Sequence, residues 1–312
     1  MLVYLRLWPK FSLLFLLLAA LIGCADSGTS NAPAQAAPGE RESESVAEEG
    51  PIRLGLVPSE GGTDIVKRFR PVIEQLEREL GRPVEAFSAT EYLGIITAMQ
   101  NKQVDVVYMG PKSYVEASRI AGAVAVAMEL NLEGLAGYYA IMLARKDSGI
   151  KTLADAKGRS FGYVTPNSTS GYLLPAIYVM EETGMSVEEY FGEVSYTGTH
   201  GNAAYAVRTG EIDVVANNTL DLRAMMSSGF DDSELVEIWR SPMIPGSVIA
   251  VRGDLPESFH EQIRQALIEL SKDDEAMDEM ARGGFVSATD EDYDIIRVLE
   301  QRNAEMAADN DG

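Results

Sequence analysis

The chain is 312 residues long, 46% hydrophobic and 24% charged, an ordinary globular composition whose length fits about two domains. Its 48 acidic residues against 26 basic give a formal charge of −22, which argues against nucleic acid or an anionic membrane surface as partner because like charges repel. One Cys and two His exclude an intramolecular disulfide and a Cys cluster for zinc or iron–sulfur, so neither a metal nor another cofactor is expected.

Arg6 and Lys10 precede an apolar run of 12 residues, Phe11 to Ile22, too short to span a bilayer as a mature helix. The run ends Leu21-Ile22-Gly23-Cys24, which resembles the bacterial lipobox, implying cleavage before Cys24 and diacylglycerol on its thiol. A signal peptide with an incidental Cys, or a membrane anchor, is the alternative; the single Cys standing where the motif requires it favours lipidation. Residues 1–23 are then a lipoprotein signal peptide and 24–50 a lipidated flexible tether. Residues 25–50 hold no aromatic residue, Leu or Ile and cannot bury enough apolar surface to offset ordering entropy. Treated as a coil, they reach roughly 25–30 Å.

From Pro51 onward, short β-branched runs alternate with helical periods. Ile52–Val57 reads as a strand and Thr63–Leu80 as one amphipathic helix, stopped by Gly81 with Pro83 after it. Strands Val84–Phe87, Val104–Met109 and Ala123–Leu130 alternate with helices Glu91–Asn101 and Lys112–Ile120. Tyr138–Ala144 is extended and opens a second round: strands at Phe161–Val164, Val194–Thr197, Ile212–Ala216, Leu235–Arg240 and Val248–Val251, with helices at Gly171–Thr183, Asn202–Thr209 and Leu220–Ser228. From Pro256 the chain reads as helical, and Asn303–Gly312 as a polar tail with no assignable role. This alternation predicts an α/β fold with mainly parallel sheets covered on both faces.

Val104-Asp105-Val106-Val107 echoes Ile212-Asp213-Val214-Val215, 108 residues on. Asp105 and Asp213 read better as short acids at the start of buried strands than as catalytic carboxylates. The echo supports two lobes built alike, with crossings near Tyr138–Ala144 and Val248–Arg252: lobe 1 from 51–138 and 252–312, lobe 2 from 139–251. Ligands of open α/β sheets sit outside the carboxyl ends of strands, so facing lobes make a cleft.

Thr165-Pro166-Asn167-Ser168-Thr169-Ser170-Gly171 follows a strand and opens a helix. Three consecutive hydroxyls beside unsatisfied backbone N–H groups suit an anion; ordinary capping needs only one. Thr197-Gly198-Thr199-His200-Gly201-Asn202 repeats the design, placing His200 either as a donor to the same anion or as a solvated or capping histidine. Thr90-Glu91-Tyr92 is a third strand-to-helix turn, and Tyr138 offers a phenol at the crossover. Pro58-Ser59-Glu60-Gly61-Gly62-Thr63 lacks the nucleotide P-loop pattern.

PNSTSGYLLP, THGNAAYAV, DVVANNT and IWRSPMIPG together resemble the phosphate/phosphite/phosphonate substrate-binding proteins of ABC transporters, from about Ile52 to about Gly284. The resemblance implies a two-lobed periplasmic-binding-protein-like (type II) fold that closes on one phosphorus oxyanion. It implies oxyanion ligands at Ser168, Thr169, Ser170 and His200, with hydroxyls from Tyr92 and Tyr138 on the other side. Asn217 and Asn218, together with Leu220 and Ser247, would line the cleft. Members binding aminoalkyl phosphonates are expected to carry carboxylates where this chain has Leu220 and Ser247. Asp221 is adjacent, but one helix step turns it about 100° away. A buried ammonium would lack a counter-charge, so phosphite, methylphosphonate or phosphate is expected.

The expected partners are an ABC permease and its ATPase, and the membrane through lipid on Cys24. The protein is expected to be a monomer in the cell envelope, facing the periplasm or, in a single-membrane host, the outside. Two rivals stand beside this reading: a ligand-presenting sensor of the same fold, and a hydrolase using Ser168 or Ser170 with His200. Against the hydrolase, the chain has no G-x-S-x-G elbow and no recognisable orienting acid.

Overall fold

A computed structural model of the chain describes residues 50–59 and 63–310. The signal-peptide and tether readings, and Cys24 with them, lie outside the described residues. None of the described helices is long and apolar enough to cross a membrane.

In chain order the elements are β1 (Ile52–Leu56), α1 (Thr63–Arg68), α2 (Arg70–Leu80), β2 (Val84–Ser88), α3 (Tyr92–Gln100), β3 (Val106–Met109), α4 (Pro111–Ala121) and β4 (Ala123–Leu130). There follow β5 (Gly137–Tyr138), β6 (Ala140–Arg145), β7 (Ser160–Tyr163), α5 (Leu174–Thr183), α6 (Val187–Tyr190), β8 (Glu193–Tyr196), α7 (His200–Thr209), β9 (Val214–Asn218), α8 (Thr219–Ser227) and β10 (Leu235–Arg240). The chain ends with β11 (Ile244–Pro245), β12 (Val248–Arg252), α9 (Glu257–Leu270), α10 (Asp274–Met280), β13 (Gly284–Ser287) and α11 (Asp294–Asn310).

The strands form two main sheets, β13-β4-β12-β3-β1-β2 and β10-β6-β9-β7-β8, the two-lobed α/β architecture expected. β2, β1 and β3 run parallel, as do β8, β7 and β9. Pairings are antiparallel at β4, β12 and β13 in one sheet and at β6 and β10 in the other. Successive side chains of β3 serve opposite layers, as the two-residue strand period requires. Val107 and Met109 pack with Ile95, Ile96 and Tyr114 of α3 and α4; Val106 and Tyr108 pack with Phe69, Leu76 and Ile263 of the α2 and α9 layer.

The repeated acids are fasteners. Asp105 accepts from Arg53 N at 3.0 Å and Arg53 Nε at 2.9 Å, and lies 3.2 Å from Arg252. Asp213 accepts from Ser160 N and Oγ at 3.1 and 3.0 Å. Each acid therefore ties its own strand start to the start of the parallel neighbour, β1 or β7.

Several boundaries differ from the sequence reading for identifiable reasons. The helix over 63–80 is two, because Pro71 has no N–H for the carbonyl four residues back; Phe69 stands between them. The final third contains a strand, β13, at the edge of the first sheet. Asn303 onward is not a tail: α11 runs to Asn310, with Lys112 of α4 3.2 Å from Glu300 and Arg302 2.6 Å from Glu181 of α5. The return crossing, expected near Val248–Arg252 with residues up to 251 in lobe 2, is not there: Val248–Arg252 is β12, inside the first sheet between β4 and β3. The two crossings instead lie side by side, where β5 and β11 pair antiparallel. Gly246 follows them; a Cβ there would sit 2.2 Å from the Glu129 carbonyl, so only glycine lets the chain pass.

Candidate functional site

A small cavity lies where strand ends from both sheets meet. It is lined by Val57 and Ser59 after β1, Tyr108 and Gly110 at the end of β3, and Tyr92 at the start of α3. Tyr138 of β5 and Ser247 enter from the crossings. From the second sheet come Ser168, Thr169 and Ser170 after β7, His200 after β8, Asn218 at the end of β9, and Leu220 and Asp221 just beyond it. All six residues predicted as ligands are thus brought together, with three of the four predicted as cleft-lining. Measured by the centre of a water-sized sphere the volume is about 20 Å³, which is the space swept by a body of roughly 3 Å radius. A hollow of about 490 Å³ lies beyond Leu220, its rim mixing Glu133, Asp232 and Glu237 with Arg223 and Arg240; no set of donors of one sign converges there.

Each donor is held by a local reason. Ser168 caps the turn that follows, its Oγ accepting from Gly171 N at 3.0 Å. That turn, Thr169–Leu173, is a π turn rather than the start of an α-helix. It stays open because Gly171 has no side chain: a Cβ would meet Val164 Cγ2 at 2.4 Å. Thr169 Oγ1 accepts from Lys112 N of α4 at 2.8 Å. Thr199 caps α7, accepting from Asn202 N at 2.9 Å, so that His200 is the first helical residue. The N-terminal ends of α3, α4, α7 and α8 all border the cavity, and their helix dipoles add positive potential.

His200 Nε2 is 3.4 Å from Ser168 Oγ, 3.5 Å from Ser170 Oγ and 3.8 Å from Asp221 Oδ2. Its Nδ1 is buried without a hydrogen-bond partner among the described residues. A buried orphan donor costs more than a weak acceptor left unused. The Nε2–H tautomer is therefore favoured, and the ring presents a donor to the cavity. Burial lowers the His200 pKa below its ordinary value, partly opposed by Asp221, so the ring is neutral at pH 7. Burial raises the Tyr138 phenol, eased by the nearby hydroxyls of Ser170 and Thr169. Burial and then Glu129 raise Tyr108. Both phenols stay protonated donors.

Asn217 departs from its assigned place. It is fully buried behind the cavity wall, its Nδ2 donating to the His200 carbonyl at 2.9 Å and its Oδ1 accepting from Asn218 N at 2.8 Å. Strand alternation puts Asn217 and Asn218 on opposite faces, so only Asn218 lines the space.

Of the five lining residues that the sequence reading does not select, Val57 and Gly110 offer no polar side chain and three do. Ser59 donates its Oγ to Asp221 Oδ1 at 3.1 Å, and its carbonyl accepts from His200 N at 2.8 Å. Tyr108 donates to Glu129 at 2.9 and 3.0 Å. Asp221, which the helix step was expected to turn away, faces the cavity. The cavity lies off the end of α8 rather than to one side, and side chains lean toward a helix's N-terminus, so Leu220 and Asp221 both reach it. Asp221 is 6% exposed, accepts from Asn218 Nδ2 at 2.6 Å and lies 3.9 Å from Arg282. Arg282 in turn donates to Glu129 at 2.8 Å.

The family model for the ABC transporter phosphonate periplasmic substrate-binding protein matches residues 54–293. The phosphonates-binding periplasmic protein of Escherichia coli K12 is 32% identical over 239 residues, covering 75% of this chain and 70% of that protein. The phosphate-import protein PhnD of Mycolicibacterium smegmatis is 30% identical over 303 residues, covering 89% and 91%. Among solved structures, a binding-protein component of an ABC phosphonate transporter from Pseudomonas aeruginosa superposes with a TM-score of 0.78 at 28% identity, covering 84% of this chain and 89% of that one.

Proposed function

The chain belongs to the phosphonate-binding family of ABC-transporter periplasmic substrate-binding proteins, and on that premise we propose that it captures one small, amine-free phosphorus oxyanion and delivers it to a membrane permease. The family is one of transport proteins, not enzymes, and the chain is a phosphonate- or phosphate-binding component of an importer. The observation that carries the finer reading is the cavity itself: room for one tetrahedral group, ringed by hydroxyls, one imidazole N–H and helix N-termini. Ser168, Thr169, Ser170, His200, Tyr92 and Tyr138 are the proposed ligands. The sequence Leu21-Ile22-Gly23-Cys24 supports tethering of this unit to the envelope membrane by lipid on Cys24.

Binding balances dehydration of the anion against donors supplied. Each hydrogen bond to a charged group contributes about 1.5–3 kcal/mol. Five or six such bonds reach micromolar affinity, about −8 kcal/mol, after the costs of closure. Closure has its own contacts: His200 N to the Ser59 carbonyl, Lys112 N to Thr169 Oγ1 and Ser113 Oγ to the Asn167 carbonyl at 2.9 Å. All join one sheet's loops to the other's, and opening about the paired crossings would break them.

The experiment is a melting and calorimetric panel of phosphite, methylphosphonate, phosphate, 2-aminoethylphosphonate and sulfate. A ligand at a hundredfold its Kd stabilises by about 2.7 kcal/mol, a rise of roughly 5–10 °C at this size. One of the first three should give that rise. Tightest binding of 2-aminoethylphosphonate, or no shift with any phosphorus compound, would contradict the reading.

A further inference from the structure

The proposed oxyanion site contains a charge of the wrong sign. Asp221 is the one carboxylic acid lining the cavity among the described residues. Its Oδ2 lies 3.8 Å from His200 Nε2, the same nitrogen that reaches Ser168 and Ser170. This is not the far wall that would hold an amine on an alkyl arm, for which about 20 Å³ leaves no room.

The groups around the carboxylate do not cancel it. Ser59 and Asn218 donate one hydrogen bond each, and each oxygen keeps further acceptor capacity. Arg282, at 3.9 Å, is closer to Glu129, to which it donates at 2.8 Å. Glu129 also holds the Tyr108 hydroxyl, and Tyr138 and Tyr108 are neutral phenols. His200 is neutral because it is buried. A fully ionised oxyanion placed here would set oxygen against oxygen, both negative and both acceptors, among buried side chains where screening is weak.

The geometry points to Asp221 as a specificity-determining residue that accepts a hydrogen bond from an acid proton on the ligand, so that the site takes the singly protonated form of a phosphorus oxyanion and rejects oxyanions that carry no proton near neutrality. This rests on the function proposed above and adds to it the ionisation state of the substrate. Phosphorus acids of this kind hold their second proton to about pH 6 or above; sulfate does not hold one.

The test is calorimetry of the wild-type protein with inorganic phosphite and with methylphosphonate from about pH 5 to 9, with sulfate as comparator, repeated on Asp221→Asn. For the wild type, Kd should stay level below each ligand's second ionisation and rise about tenfold per pH unit above it. The two midpoints should differ by the difference between the ligands' own values. A shared midpoint would mark a protein group such as His200 and overturn the proposal, as would a flat profile or wild-type binding of sulfate comparable to phosphite. In Asp221→Asn, whose amide can donate, the slope should fall below about twofold per pH unit and sulfate affinity should rise at least tenfold. A folded variant that keeps the slope and the rejection of sulfate would also overturn it. The midpoints come from unaltered protein, so a variant that fails to fold leaves them to decide. Absence of all phosphorus binding would overturn the parent reading along with this one, whereas a flat profile removes this one alone.

Discussion

Replacing His200 with Ala separates the site's chemistry from its architecture. The imidazole is 2% exposed, and its Nε2 is the donor placed among Ser168, Ser170 and Asp221. The backbone roles of residue 200 survive the change: its N–H still reaches the Ser59 carbonyl, and its carbonyl still receives Asn217. One hydrogen bond to a charged ligand, about 1.5–3 kcal/mol, corresponds to roughly ten- to a hundredfold in Kd. The lost packing should lower the melting temperature by a few degrees and no more, since no backbone bond is broken. Calorimetry with phosphite or methylphosphonate, beside a thermal melt of the free protein, reads both quantities. A variant binding within twofold of wild type while melting normally would refute the assignment of His200 as a donor.

Three further outcomes follow. Because His200 has a lowered folded pKa, the unfolded chain takes up the proton first: stability is present above the unfolded value near 6.5 and is lost as pH falls from there toward the folded value. Ligand-free protein should therefore lose up to about 1.4 kcal/mol per pH unit below pH 6.5, and His200→Gln should remove that slope in melts taken between pH 7 and pH 5. Gly171→Ala, whose methyl would sit 2.4 Å from Val164 Cγ2, should cost about 1–3 kcal/mol by overpacking and weaken ligand binding by displacing the π turn; adding Val164→Ala should recover much of both in the same two assays. Ile296 of α11 is fully buried, so Ile296→Ala should cost about 2–5 kcal/mol, and denaturation within 0.5 kcal/mol of wild type would show that α11 is dispensable.

The strand-to-helix turns were legible because each combines local signals: a β-branched run, a cluster of Ser, Thr or Asn, then a helical period. That is why Ser168, Thr169, Ser170, His200 and Tyr92 are found together in one cavity. The residues that escaped notice carry no such signal. Tyr108 stands inside Val106-Val107-Tyr108-Met109, where an aromatic reads as core, and only its position at the carboxyl end of a strand distinguishes it. Ser59 stands in the turn after β1, which the sequence reading weighs only against the nucleotide P-loop pattern. Counting angle around the helix turns Asp221 away, a measure that fails when the cavity sits off the helix's end. The strand β13 was hidden because four residues between helices have too little periodicity to register, and its place is set by the β4 edge it covers. Likewise the return crossing could not be located from hydropathy, since β12 is as apolar as a strand of either lobe and its sheet is fixed only by pairing with β3 and β4.

The most direct measurement is a crystal structure grown with methylphosphonate at saturating concentration. The account predicts the phosphonate oxygens within about 2.5–3.2 Å of the hydroxyls of Ser168, Thr169 and Ser170 and of His200 Nε2, with no Arg or Lys side chain touching them. Density for the ligand in another part of the molecule, or a protein that remains empty between Tyr138 and His200 under those conditions, would contradict it.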